Sequence, residues 1–167
     1  MFVDELTIEA AAGDGGDGVV RWHHEKFKPK AGPAGGNGGR GGDVYVEAVA
    51  DRNYLAKYTG STLFAAESGV SGRKRSQHGR DGEDCVIKVP VGTTVTDIDR
   101  GRSFSLTTVG ETVKILTGGN GGYGNEHFKS STNRAPQEAI PGQPGERGRF
   151  ALTVTLIADV GLVGLPN

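Results

Sequence analysis

The chain has 167 residues, of which 29 are glycine and 7 proline, with 35% hydrophobic residues and a formal net charge of −1. Glycine stands at more than twice its usual share of about 7%, but the apolar content and near-neutral charge exclude a self-repelling disordered chain. A single cysteine, Cys85, excludes an internal disulfide framework and fits a reducing compartment.

Leu6, Ile8 and Ala10 alternate with Glu5, Thr7 and Glu9, the period of a half-buried strand. GDGGDG follows at 13–18. It matches the dinucleotide fingerprint G-x-G-x-x-G in form, yet VVRWHHEKFKPK after it opens no helix, and Asp14 and Asp17 would repel a pyrophosphate. A structural role is expected. Next comes GPAGGNGGRGGD at 32–43, then a second alternating strand over Val44, Val46 and Ala48. RNYLAKY at 52–58 and STLFAAE at 61–67 are the two candidates for short helices. GVSG and GRDG flank the basic run RKRSQHGR, and Cys85, Ile87 and Val89 make the next strand. Val113 and Ile115 continue the pattern, GGNGGYG and GQPGERG interrupt it, and Leu152, Val154 and Leu156 close it. The apolar run at 156–166 is too short to span a bilayer.

All five windows carry glycines three apart, among them Gly13 and Gly16; Gly32, Gly35, Gly38 and Gly41; Gly79 and Gly82; Gly118 and Gly121; and Gly142 and Gly145. Polyproline II has three residues per turn, so this period lines one edge of a helix with glycine and lets a sister helix approach backbone to backbone. Collagen would need long uninterrupted triplets, and a flexible linker needs no period. The expected fold is mainly β with packed polyproline-II segments.

Catalytic constellations are not expected. His23, His24, His78 and His127 lack metal-ligand spacing to Cys85 or to each other, and neighbours His23 and His24 are expected on opposite faces of a strand. No serine sits in a nucleophile elbow. Charge is clustered instead. Lys26, Lys28 and Lys30 precede the second window, Arg73, Lys74, Arg75 and Arg80 fall in the third, and Lys129 and Arg134 follow the fourth, with Phe27, Tyr123 and Phe128 nearby. Cations with aromatics on loops suit phosphate contact and base stacking, as in RNA recognition. They also suit a plain solvated surface, and charge alone does not choose. At the C-terminal end, GLPN at 164–167 reads either as the first four positions of a P-loop or as an ordinary strand-to-turn end.

EKFKPKAGPAGGNGGRGGDV, DGEDCVIKVPVGTTVTD, GGNGGYGNEHFKSSTNRAP and ADVGLVGLPN, in this order, resemble the Obg family of ribosome-associated GTPases from Phe2 to Asn167. The resemblance implies an Obg domain over 1–157, a small β-barrel or sandwich from which six glycine-rich polyproline-II helices project with loops at the tip. It implies that 158–167 open a GTPase domain with an incomplete P-loop at Gly164, Leu165, Pro166 and Asn167. The fragment would then hold no catalysis, while the full-length protein would use GTP or GDP and Mg2+. Carried over, the RNA-binding candidates are Lys26, Lys28, Lys30, Arg73, Lys74, Arg75, His78, Arg80, Asn125, His127, Lys129, Asn133 and Arg134. The implied role is cytoplasmic: docking on the large ribosomal subunit near its peptidyl-transferase centre, in late assembly and stress-linked control of translation. The fragment is expected to be monomeric. A second reading is a protein-interaction module for a stress regulator or for the GTPase domain. Where the family usually has two arginines before Glu-Lys, this chain has His23 and His24, a less cationic pair above neutral pH.

Overall fold

The computed structural model describes residues 4–58, 63–155 and 164. Eight strands form: β1 (Glu5–Ala11), β2 (Val44–Val49), β3 (Leu63–Ala65), β4 (Cys85–Pro90), β5 (Thr93–Asp97), β6 (Arg102–Ser105), β7 (Thr112–Leu116) and β8 (Arg147–Val154). The alternation expected for β1, β2, β4 and β8 is realised as alternating burial, with Ile8, Val46, Ile87 and Leu152 wholly inside. The strands make two open mixed sheets, ordered β3-β1-β8-β5-β6 and β4-β2-β7. One apolar core of Ile8, Val44, Val46, Leu55, Ile87, Val89, Leu116, Phe150 and Leu152 joins them face to face. The result is a sandwich, not the closed barrel admitted by the sequence. Each sheet keeps two edges, and the five-stranded one ends in the three-residue β3 and the four-residue β6.

Tertiary pairing overrode local preference at STLFAAE. Leu63, Phe64 and Ala65 pair in parallel with Glu9, Ala10 and Ala11 of β1, so this stretch is an edge strand and not a helix. RNYLAKY does wind, as a 3-10 turn over Tyr54–Tyr58 with Leu55 as its buried plug. The β5–β6 hairpin was not foreseen. Its turn closes from the Gly101 N–H to the Asp97 carbonyl at 2.8 Å, with Gly101 at φ 71°.

Six extended segments without strand or helix hydrogen bonding leave the sandwich, each continuous with a strand. Segment I (12–20) prolongs β1, II (33–43) leads into β2, III (66–73) leaves β3, IV (77–84) enters β4, V (117–124) leaves β7, and VI (139–146) enters β8. The window spanning GVSG and GRDG is thus two segments, III and IV, folded back at the turn 73–77.

Hydrogen bonds among the segments repeat every three residues. Gly13, Gly16 and Val19 donate to the carbonyls of Gly42, Gly39 and Gly36 in segment II at 2.9, 2.8 and 3.3 Å. One residue earlier, Ala12, Gly15 and Gly18 donate to Glu146, Gln143 and Ile140 in segment VI. Gly38 and Gly41 reach Gly122 and Gly119 of segment V, whereas Gly36, Gly39 and Gly42 reach Arg73, Val70 and Glu67 of segment III. Each residue class along a segment therefore faces its own neighbour, which is what three residues per turn requires.

Glycine is needed where that neighbour is close. A Cβ on Gly38 would lie 1.8 Å from the Gly16 carbonyl oxygen, on Gly41 1.9 Å from that of Gly13, and on Gly121 2.0 Å from that of Gly38. Gly35, Gly118, Gly142 and Gly145 are closed in the same way, by Val19, Gly41, Gly15 and Gly13, and Gly79 and Gly82 by Val70 and Glu67. Gly32 departs from the expected packing edge. Its nearest neighbour is 4.0 Å away and its φ is 143°, so it serves the backbone bend entering segment II.

Polar side chains fill the remaining amide positions. Asp17 and Asp14 accept from the N–H groups of Gly142 and Gly145 at 2.8 and 2.9 Å, which makes both acids of GDGGDG structural. Asp81 and Asp84 accept from Arg40 and Asp43 in the same manner.

Candidate nucleic-acid interface

Three connections close the bundle at the end away from the sandwich: 21–32 between I and II, 73–77 between III and IV, and 125–138 between V and VI. The first and third are pinned together by Asn125, which has no exposed surface. Its Oδ1 accepts from the N–H groups of Gly35 (2.8 Å) and Arg21 (3.3 Å), and its Nδ2 donates to the carbonyls of Arg21 (3.0 Å) and Pro136 (3.2 Å). All four hydrogen-bonding positions of the amide are used. Asn125, expected among the contacting residues, is instead the internal tie of the tip. The Ser76 N–H adds a second tie to the Ala34 carbonyl at 2.8 Å.

The first connection is a narrow hairpin. Glu25 and Lys28 exchange both backbone hydrogen bonds around Lys26 and Phe27. Phe27 sits at φ 67°, a place that glycine usually fills in such a turn, and is 91% exposed. A large apolar ring held in a left-handed conformation and in water is a local strain of the sort that marks binding sites. Lys26 Nζ lies 5.4 Å from this ring and Lys30 Nζ 5.6 Å from that of Trp22. The 73–77 turn carries a second such feature, with Arg75 and Ser76 both at φ 59°.

Lys26, Lys28, Lys30, Arg73, Lys74, Arg75, Lys129 and Arg134 are all exposed. None of them makes an ion pair among the described residues. The other candidates are occupied. Arg80 pairs with Glu67 along the flank of segments III and IV, and His78 Nδ1 accepts the Asn37 N–H at 3.0 Å. Both belong to the side of the bundle. Asn133 donates to Glu138 at 3.2 Å, and its N–H closes a turn on Ser130. His127 stacks on Tyr123 with ring centroids 4.0 Å apart and an 11° interplanar angle, leaving this pair exposed beside the tip.

The strand expected at His23 and His24 does not form. Only isolated bridges form here, at Trp22 and Glu25, so strand alternation fails and both histidines line one cleft with Val20, Arg21, Trp22, Lys74 and Arg75. Arg21 and Trp22 were not among the expected residues, although RWHHEKFKPK mixes base and aromatic in the same way as the neighbouring lysine cluster.

Of the P-loop start expected at 164–167, Gly164 is described, and a Cβ on it would meet nothing within 4 Å among the described residues; Leu165, Pro166 and Asn167 lie outside the described residues, as does most of 158–167. Among the described residues no cluster of His, Cys, Asp and Glu could hold a metal ion, and no helix is long and apolar enough to cross a membrane. The GTP1/OBG family model matches residues 3–156, across both the sandwich and the bundle. The chain belongs to the GTP1/OBG family.

Proposed function

We propose that this domain is the RNA-docking part of an Obg-type GTPase, and that it carries its tip into the ribosomal RNA of the large subunit, near the peptidyl-transferase centre. In this reading the six segments are polyproline-II helices and form a stiff arm. Three basic loops at its end contact phosphates, and Phe27 offers a face for an unpaired base. The sandwich is the handle by which a GTPase domain, opened by residues 158–167, times arrival and release in the cytoplasm. GTP and Mg2+ belong to that domain, and no step of theirs is assigned to the residues described above.

The carrying observation is the convergence of three chain-distant connections on one end, which bear cations without ion-pair partners among the described residues and a ring 91% exposed. Phosphate contact makes binding salt-dependent, with a slope of about −0.7 to −0.9 per neutralised phosphate. The test is a triple variant, Lys28→Glu, Lys129→Glu and Arg134→Glu, on two different loops. It is expected to bind large ribosomal subunits weakly and with a shallower salt slope. Unchanged affinity and slope would sink the RNA-docking reading.

A further inference from the structure

The cleft between the base of the first hairpin and the 73–77 turn has a volume of about 460 Å³ and is lined by Val20, Arg21, Trp22, His23, His24, Lys74 and Arg75. That volume lies within the range of about 300–1,000 Å³ common for small-ligand sites. No carboxylate lines it. Among the described residues Lys74 and Arg75 form no ion pair, and the one side-chain bond of Arg21 goes from Nη1 to the Val20 carbonyl.

Two chain segments far apart in sequence build the two walls, and their spacing is fixed. Asn125 holds the Arg21 backbone on one side, and the Ser76-to-Ala34 bond holds the turn on the other. A surface that merely kept the domain in solution would not need cations lodged in a concave, tied site beside an indole.

We propose that this cleft receives one unstacked nucleotide of a single-stranded RNA segment. Its base lies against Trp22, and its phosphates lie between Arg21 on one wall and Lys74 and Arg75 on the other. The inference rests on the RNA-docking reading and adds a specific receptor to it. Lys28, Lys129 and Arg134, which test that reading, do not line the cleft. An aromatic face with flanking cations is the pairing that single strands use, because every base has a π-face and every nucleotide a charge. A duplex, with its bases stacked inside, offers the cleft no base.

Trp22 is the sole tryptophan of the chain, so its fluorescence reports this cleft and nothing else. The experiment titrates the protein with a single-stranded hexauridylate or hexaadenylate, with a hairpin duplex of equal charge, and with AMP. Saturable quenching by the single strands is expected, with much weaker quenching by the duplex. Arg21→Gln with Lys74→Gln should lower single-strand affinity about tenfold and make the salt slope shallower by about 1.4, two contacts' worth. Both are exposed side chains, and the Asn125 tie uses only the Arg21 backbone. Lys88→Gln, on the sandwich, is the charge control and should change nothing. Absent quenching, quenching that survives the double variant, an equal loss with Lys88→Gln, or AMP binding as tightly as the oligonucleotides would overturn the proposal. If the cleft variant binds large subunits normally while the Lys28, Lys129 and Arg134 variant does not, the cleft fails and the docking reading stands.

Discussion

In the sandwich, the fully buried positions include Ile8, Ile87, Leu116 and Leu152; in the bundle, the closest-packed positions are glycines facing carbonyl oxygens. The sandwich is held mainly by removing apolar area from water, worth about 1.5–3 kcal/mol for each large side chain buried. The bundle has almost no apolar side chain to bury between its segments. Its order rests on backbone hydrogen bonds, each contributing about 0.5–1.5 kcal/mol net, set against the large entropy lost by glycine. Such a structure stands only if many of these bonds form together on a scaffold that fixes the starting points. Six of the eight strands supply those points, because each segment continues one of them. The lesson is a division of labour: apolar burial sets position, and a repeating backbone lattice converts position into reach.

That contrast is broken most severely by adding one methyl group to the lattice. In Gly38→Ala the new Cβ would stand 1.8 Å from the Gly16 carbonyl oxygen and 2.2 Å from its carbon. No rotamer change relieves a clash between two backbones, so the cost should exceed the roughly 1–3 kcal/mol of ordinary overpacking. Hydrogen exchange should show lost protection across 12–20 and 33–43 while the sandwich strands stay protected. Gly101→Ala is the comparison. Its new Cβ would meet nothing within 4 Å among the described residues, and only its φ of 71° is disfavoured, so its cost should stay near the roughly 1–2 kcal/mol of a left-handed residue. Equal effects of the two changes would refute the lattice account.

A core truncation should act from the opposite side. Phe150 is 1% exposed, on β8, and its removal to alanine is expected to cost about 3–5 kcal/mol by lost transfer energy and a cavity. Because the segments begin where the strands end, both regions should melt together in Phe150→Ala, in contrast to Gly38→Ala. Circular dichroism of the strands and exchange at the segment amides would show coincident transitions. Separate ones would mean that the bundle holds itself.

The two regions also differed in how far their residues announced them. Period-two alternation placed β1, β2, β4 and β8, since half-burial leaves a direct trace in residue order. The glycine period placed the segments, because an extended chain that touches neighbours at three-residue intervals must omit Cβ in phase. What stayed hidden depended on partners far along the chain. Leu63 to Ala65 look helical until β1 offers an edge, and TTVTD with RSFS carry one apolar residue each, too few to show an alternation. At the tip, charge found the loops but could not tell Arg80, already paired with Glu67, from Arg75, which has no such partner among the described residues. Nor could it show that Asn125 lies inside, since its four partners come from residues 21, 35 and 136.

The mildest perturbation falls where the two regions meet. Asp43, between segment II and β2, accepts from Arg40 Nη2 at 2.8 Å and Nη1 at 3.2 Å, from the Gly118 N–H at 2.7 Å, and from the Tyr45 hydroxyl at 3.4 Å. Burial alone would push its carboxyl up, but the Arg40 guanidinium and the Gly118 amide outweigh it and hold the group below the usual carboxylate range. A lowered folded-state pKa stabilises the fold above the unfolded value of about 3.9 and loses that contribution as pH falls through the folded value. Asp43→Asn keeps the shape, sets an NH2 group against the donors it should accept from, and should cost about 1–2 kcal/mol at neutral pH. Its disadvantage should shrink as pH drops below about 4, where the unfolded carboxyl takes up a proton first and the native one only at lower pH. Denaturant titrations of both proteins from pH 7 to pH 2.5 would show two stability curves converging on the acid side. Parallel curves would mean that the ion pair at the junction contributes nothing to holding the bundle on the sandwich.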